Sequence, residues 1–248
     1  MNQSHPFALA AVLEHSKFSP ITFMVIAAAA FFSVLPNGRA QGENSVGQLL
    51  KRLPPPEEVA KATGPNLDPA ARDPLVKQIV EAAKAMNFGT AYALSTKLAS
   101  RYPKSAGSQS LQGELALMLR RYSEASSAFH KAISIQPNFA FAYAGLGLTD
   151  ASQNRLPAAM SDFKQVTRLS PNTDVGWIGL SGCAARMGQR RDSVNYAKQA
   201  TTVAPKSVAA WLQLSRAENL SGDQRAASQA LARANELKGK APNRATRR

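Results

Sequence analysis

Cysteine is almost missing from this 248-residue chain: Cys183 stands alone. No disulfide can therefore close within it, and no multi-cysteine zinc or iron–sulfur site can form. Histidine is nearly as scarce, with only His5, His15 and His130. That leaves little material for metal binding or general-base catalysis. Acidic residues are outnumbered, 16 Asp and Glu against 30 Lys and Arg, for a net charge of +14. Aromatic residues make up 7% of the chain and do not alternate with the basic ones, so base stacking on nucleic acid has no support. No phosphate-binding glycine loop occurs, and no pair of carboxylates recurs on one face. What is present is a 44% apolar share, enough to build a core and to exclude a wholly disordered chain.

The first part of the chain reads as a targeting segment. Residues 21–35, ITFMVIAAAAFFSVL, carry no charge; Lys17 stands before them, and Pro36 to Ala40 follow. A run of fifteen is short for a membrane span, which takes about 20 residues, and suits the apolar region of a signal peptide. Small residues at Gly38 and Ala40 place the expected cut before Gln41. The expectation is a signal peptide over 1–40, or an uncleaved membrane anchor, and in either case an exported chain. Residues 41–71 follow as a flexible linker, with Pro54-Pro55-Pro56, Gly64-Pro65 and Asp68-Pro69 each interrupting regular structure.

Downstream the chain repeats itself. Pro103, Pro137, Pro171 and Pro205 are spaced by 34 residues, as are Trp177 and Trp211, and Gly188 and Gly222. Placing each proline at position 32 divides the chain into windows 72–105, 106–139, 140–173, 174–207 and 208–241. Position 8 is then small, at Gly113, Gly147, Ser181 and Ser215, and position 20 is small at Ala91, Ala125, Ala159, Ser193 and Ala227. Position 24 reads Phe129, Phe163 and Leu231, with Ala197 smaller in the fourth window and Ser95 in the weakest, first window. Positions 4 and 7 carry Tyr143, Trp177 and Trp211, then Leu146, Leu180 and Leu214.

This set of positions resembles the tetratricopeptide repeat family over about 170 residues. The resemblance implies an all-α fold, a right-handed solenoid of five helix–turn–helix units with the A helices on its inner face. Elementary packing points the same way. Small residues at 8 and 20 allow two antiparallel helices to approach, and large ones at 4, 7 and 24 fill the surrounding space. Proline at 32 stops the second helix, and Asn138, Asn172 or Ser207 can cap the next one. Glycine at position 15 suits the turn inside a repeat. The repeat domain spans 72–237 and carries 20 basic and 11 acidic residues, and 238–248 is a basic, disordered tail.

Two surfaces carry the functional expectation. The inner groove takes helix A positions 2, 5 and 9: Phe141, Ala144 and Leu148, then Val175, Ile178 and Gly182, then Leu212 and Arg216. The lysine and asparagine with which some members of the family clamp a terminal carboxylate are missing from positions 5 and 9, which begin with Ser110 and Glu114. An apolar groove suits a protein or peptide partner laid into it. The second surface is a ridge of Arg120, Arg121, Arg155, Arg190, Arg191 and Arg225 at the turns within repeats. With the tail it would suit an anionic membrane or envelope polymer. His130 is expected in solvent and Cys183 in packing. Gly179-Leu180-Ser181-Gly182-Cys183 lies on a helix and lacks the spacing of a nucleophile elbow. The reading is a non-enzymatic binding scaffold of bacterial type, periplasmic or secreted, with no cofactor, no metal and no nucleic-acid partner.

Overall fold

The computed structural model describes residues 68–239, so the expected signal segment and most of the expected linker and tail lie outside the described residues. Ten α-helices follow one another with no strand among the described residues. They are α1 Pro74–Lys84, α2 Phe88–Arg101, α3 Ala106–Met118, α4 Tyr122–Ile135, α5 Ala140–Ser152, α6 Leu156–Leu169, α7 Val175–Arg186, α8 Arg190–Val203, α9 Val208–Ser221 and α10 Gln224–Gly239. Odd-numbered helices are the A helices of the five windows and even-numbered ones the B helices. The chain divides into two compact units, one ending at Thr149 and the other beginning at Asp150.

Two boundaries move. The expected linker ran to residue 71, but Pro69–Arg72 form a 3-10 turn. Asp68 starts that turn by accepting from the Ala70 N–H at 3.0 Å, and its other oxygen accepts from the Ser105 hydroxyl. Ala70 joins the core of Val76, Ile79, Val80, Leu98, Leu111 and Leu115. At the other end α10 runs on to Gly239, two residues past the expected end of the repeat domain at 237 and still inside the last window, 208–241. Of the expected caps, Ser207 holds α9 by accepting from Ala210 N–H at 3.2 Å. Ser105 does the same for α3 at Ser108, while Asp174, and not Asn172, precedes α7.

The turn within each repeat is the same in all five. Position 16 donates its N–H to the carbonyl of position 11: Asn87 to Ala82, Arg121 to Ala116, Arg155 to Asp150, Gln189 to Ala184 and Asp223 to Glu218, at 2.8–3.0 Å. This is the Schellman end of an α-helix, and it puts position 15 in the left-handed region. Gly188 and Gly222 sit there at φ 75° and 96°, but so do Met86, Arg120 and Asn154 at 58°, 58° and 61°. Only glycine occupies that region without a Cβ penalty.

Small residues at position 8 do what was expected of them, and position 6 adds a second site. A Cβ on Gly113, at position 8, would lie 2.9 Å from the Phe129 ring, and one on Gly145, at position 6 of the next repeat, 2.3 Å. In the second unit a Cβ on Gly179 would lie 2.4 Å from Phe163. The position-24 phenylalanine therefore wedges against the A helix that follows it, where glycine makes room. Where position 8 is serine, its hydroxyl crosses to the B helix: Ser181 Oγ donates to Ser193 O and Ser215 Oγ to Ala227 O, both at 2.8 Å. Of the two tryptophans at position 4, Trp211 is tied to the preceding repeat's proline, its Nε1 donating to Pro205 O at 2.9 Å, while the buried Nε1 of Trp177 has no hydrogen-bond partner among the described residues.

Candidate functional site

In the first unit two of the three expected groove residues are closed to solvent. Ala144 is 1% exposed and Leu148 6%, while Phe141 is half-buried and tilted against Phe139 with ring centroids 6.4 Å apart. Beside them in register, at position 9 of α3, Glu114 is only 2% exposed. Its Oε1 accepts from Ser110 Oγ at 3.4 Å, and Oε2 has no hydrogen-bond partner among the described residues. Burial pushes the Glu114 carboxyl well above the usual carboxylate range, the Ser110 hydroxyl opposing weakly. The sequence placed an acid at this register but gave no sign that it is buried.

In the second unit the same register stays partly open. Val175, Ile178 and Gly182 share one face of α7, and Leu212 and Arg216 one face of α9, all five half-buried. The two helices pack against each other, and Gln213 Nε2 of α9 donates to Ser181 Oγ of α7 at 3.0 Å. A Cβ built on Gly182 meets nothing within 4 Å, so open space lies at that point of the strip. Burial holds the Arg216 guanidinium below its ordinary pKa.

The arginines of the second surface are placed at or just before the first turns of B helices, and two of the six have acidic partners. Arg121 lies 5.0 Å above the Tyr92 ring and 3.5 Å from Glu124, which also accepts from the Tyr92 hydroxyl. Arg155 pairs with Asp150 at 2.5 Å. Arg190, Arg191, Arg225 and Arg120 are exposed and make no ion pair among the described residues. The first turn of a helix is the unfavourable end for a cation, since its N–H groups carry the positive end of the dipole. It is the acids beside Arg121 and Arg155 that make the net charge at these turns smaller than the arginine count suggests.

The two candidate reactive groups have ordinary surroundings. His130 is exposed on α4. Cys183 is buried on α7, and burial pushes its thiol up to about 11, with Arg186 opposing, so it is held protonated at neutral pH. Among the described residues, no three His, Cys, Asp or Glu side chains gather into a metal site, and no helix is long and apolar enough to cross a membrane.

No family model and no curated protein matches this chain. Solved structures do resemble it. TTC0263, a thermophilic tetratricopeptide protein of Thermus thermophilus, is 17% identical with a TM-score of 0.61, over 67% of this chain and 91% of that one. PilW, a type IV pilus biogenesis factor, is 19% identical with a TM-score of 0.59, over 68% of this chain and 78% of that one. MamA of Desulfovibrio magneticus RS-1, from its residue 41 onward, is 14% identical with a TM-score of 0.55, over 67% and 94%. At such identities the likeness concerns the fold. Taken with five in-phase helix pairs and their recurring turns, it gives one conclusion: this chain has the fold of the tetratricopeptide-repeat proteins.

Proposed function

We propose that this chain is a non-enzymatic scaffold of the cell envelope that binds a protein or peptide on its inner groove. The observation that carries the reading is the half-open apolar strip of Val175, Ile178 and Leu212 on two adjacent A helices, with unfilled space at Gly182. Apolar side chains left half-exposed in a continuous strip favour a partner that covers them. The envelope assignment rests on the apolar run at residues 21–35 and is supported by the fold shared with a type IV pilus biogenesis factor. A photo-reactive amino acid at Ile178, compared with one at Arg191, tests the surface in the native host. Capture of a defined partner from 178 and not from 191 is expected; the reverse would overturn the reading.

The second reading is an adaptor that holds an anionic membrane or polymer through its turns and tail. Exposed Arg190 and Arg191, without ion pairs among the described residues, favour it. Salt separates the two, because the Debye length falls from about 14 to about 4 Å between 50 and 500 mM. Binding on the groove should survive that change, and binding through the arginines should not.

A further inference from the structure

Arg216 breaks the pattern of the strip on which it lies. It follows Leu212 by one helical turn on α9, as Gly182 follows Ile178 on α7. Because both pairs occupy positions 5 and 9 of adjacent A helices, Ile178 stands in register with Leu212, and Gly182 with Arg216. Glycine at 182 leaves that place open, with no atom within 4 Å of a built Cβ. The strip thus has an apolar stretch of Val175, Ile178 and Leu212 and then, one turn on, an arginine in register with a glycine that leaves open space. The Arg216 guanidinium is half-buried and partly desolvated. A half-desolvated cation interacts more strongly with an opposite charge than one in water, and the planar fork of arginine takes a carboxylate on two donors at once. Five donors also leave room for a ligand in addition to contacts within the chain.

We propose that this strip selects a helical peptide of amphipathic, acidic character. Its apolar side chains cover Val175, Ile178 and Leu212, and a Glu or Asp side chain one turn further pairs with Arg216 in the space beside Gly182. The inference rests on the groove reading above and names the chemistry of its ligand. A basic peptide would bring a like charge to a desolvated cation, so Arg216 sets specificity as well as affinity.

The experiment uses the full chain and three labelled, helix-stabilised synthetic peptides. All three carry leucines at i and i+4 and differ at one residue a turn further, which is Glu, Gln or Lys. Fluorescence anisotropy should show the Glu peptide bound about tenfold or more tightly than the Gln peptide, and the Lys peptide weakest. Arg216→Gln should abolish the difference between Glu and Gln, and Arg216→Glu should reverse the order in favour of Lys. Ile178→Glu should weaken all three while the helical circular dichroism is kept. Equal binding of the three peptides, or an order unchanged by Arg216→Glu, would overturn the assignment of Arg216. If Ile178→Glu still removes binding in that case, the groove stands without it. Binding that Ile178→Glu leaves intact would overturn the groove reading itself, and failure of every peptide to bind would overturn both.

Discussion

Gln213 reaches from α9 to Ser181 of α7 at 3.0 Å, from a position that is glycine in the two preceding repeats. The position-24 residue before it is Ala197, where Phe129 and Phe163 precede Gly145 and Gly179. In the first repeat Ser95 precedes Leu111. Bulk at position 24 is thus exchanged for bulk at position 6 of the next repeat. The interior stays filled although neither position keeps one residue type.

This exchange predicts a non-additive pair. Gly145→Ala should destabilise the protein by about 1–3 kcal/mol, because its Cβ would enter the Phe129 ring. Phe129→Ala alone should cost about 3–5 kcal/mol, since that side chain is fully buried. The double variant should be more stable than the sum of the two losses implies, as urea denaturation would show. Strict additivity would mean that the ring and the glycine do not share the space assigned to them.

The five Schellman turns predict three stabilising substitutions. Met86→Gly, Arg120→Gly and Asn154→Gly each relieve a side chain held at positive φ. The relief should be about 0.5–1 kcal/mol after the extra freedom of glycine in the unfolded chain is subtracted, and least for Asn154, because asparagine tolerates this region. Gly188→Ala should move stability the other way. Thermal melts of the four variants check the direction of each.

Stability should fall as pH rises, through the half-buried Asp162 and the buried Glu114. Burial, and then the charge of Asp150, push Asp162 up to about 7 from an ordinary 3.8. Folding therefore favours its protonated form. That contribution is fully present below about pH 4 and is lost as pH rises through about 7. Asp162→Asn should match the parent near pH 4 and melt higher than it at pH 8. Glu114 is raised in the same direction, so Glu114→Gln should show the same convergence in acid and the same advantage at pH 8. Parallel pH profiles for parent and variants would contradict both.

Export gives a prediction that does not depend on the fold. Protein recovered from the envelope fraction of the native host should begin at Gln41 or within a few residues of it. Terminal sequencing or intact mass checks this, and an intact chain in the cytosolic fraction would refute it.

Much of this architecture was legible because the residues that set it recur at one spacing. The prolines at 32 and the small residues at 8 and 20 repeat in kind, and the helices fall where they indicate. Position 6 was not legible, because Lys77, Leu111, Gly145, Gly179 and Gln213 share no property until each is matched with its neighbour at position 24. The turn was half legible: Gly188 and Gly222 announced it, while Met86, Arg120 and Asn154 adopt the same backbone without the residue that favours it. At the candidate site, helical spacing identified which residues share a face. Spacing says nothing of depth, so Ala144, Leu148 and Glu114 gave no sign of being buried while Ile178 and Leu212 remain half-open. The arginine ridge was overcounted for a related reason: Asp150 and Glu124 meet Arg155 and Arg121 only once the turns are folded.

The exchange of bulk between positions 24 and 6 gives the repeats an order that they must keep, like links with matched ends. Excising residues 140–173 would bring Phe129 to face Gly179, a join of the kind the chain already uses. Excising residues 174–207 would bring Phe163 to face Gln213, with two large side chains competing for one space. A shortened protein lacking the third repeat should therefore fold, and one lacking the fourth should fold poorly or not at all. Gene duplication or loss in such a chain is then free at one junction and barred at the next, although the repeats have the same length and backbone.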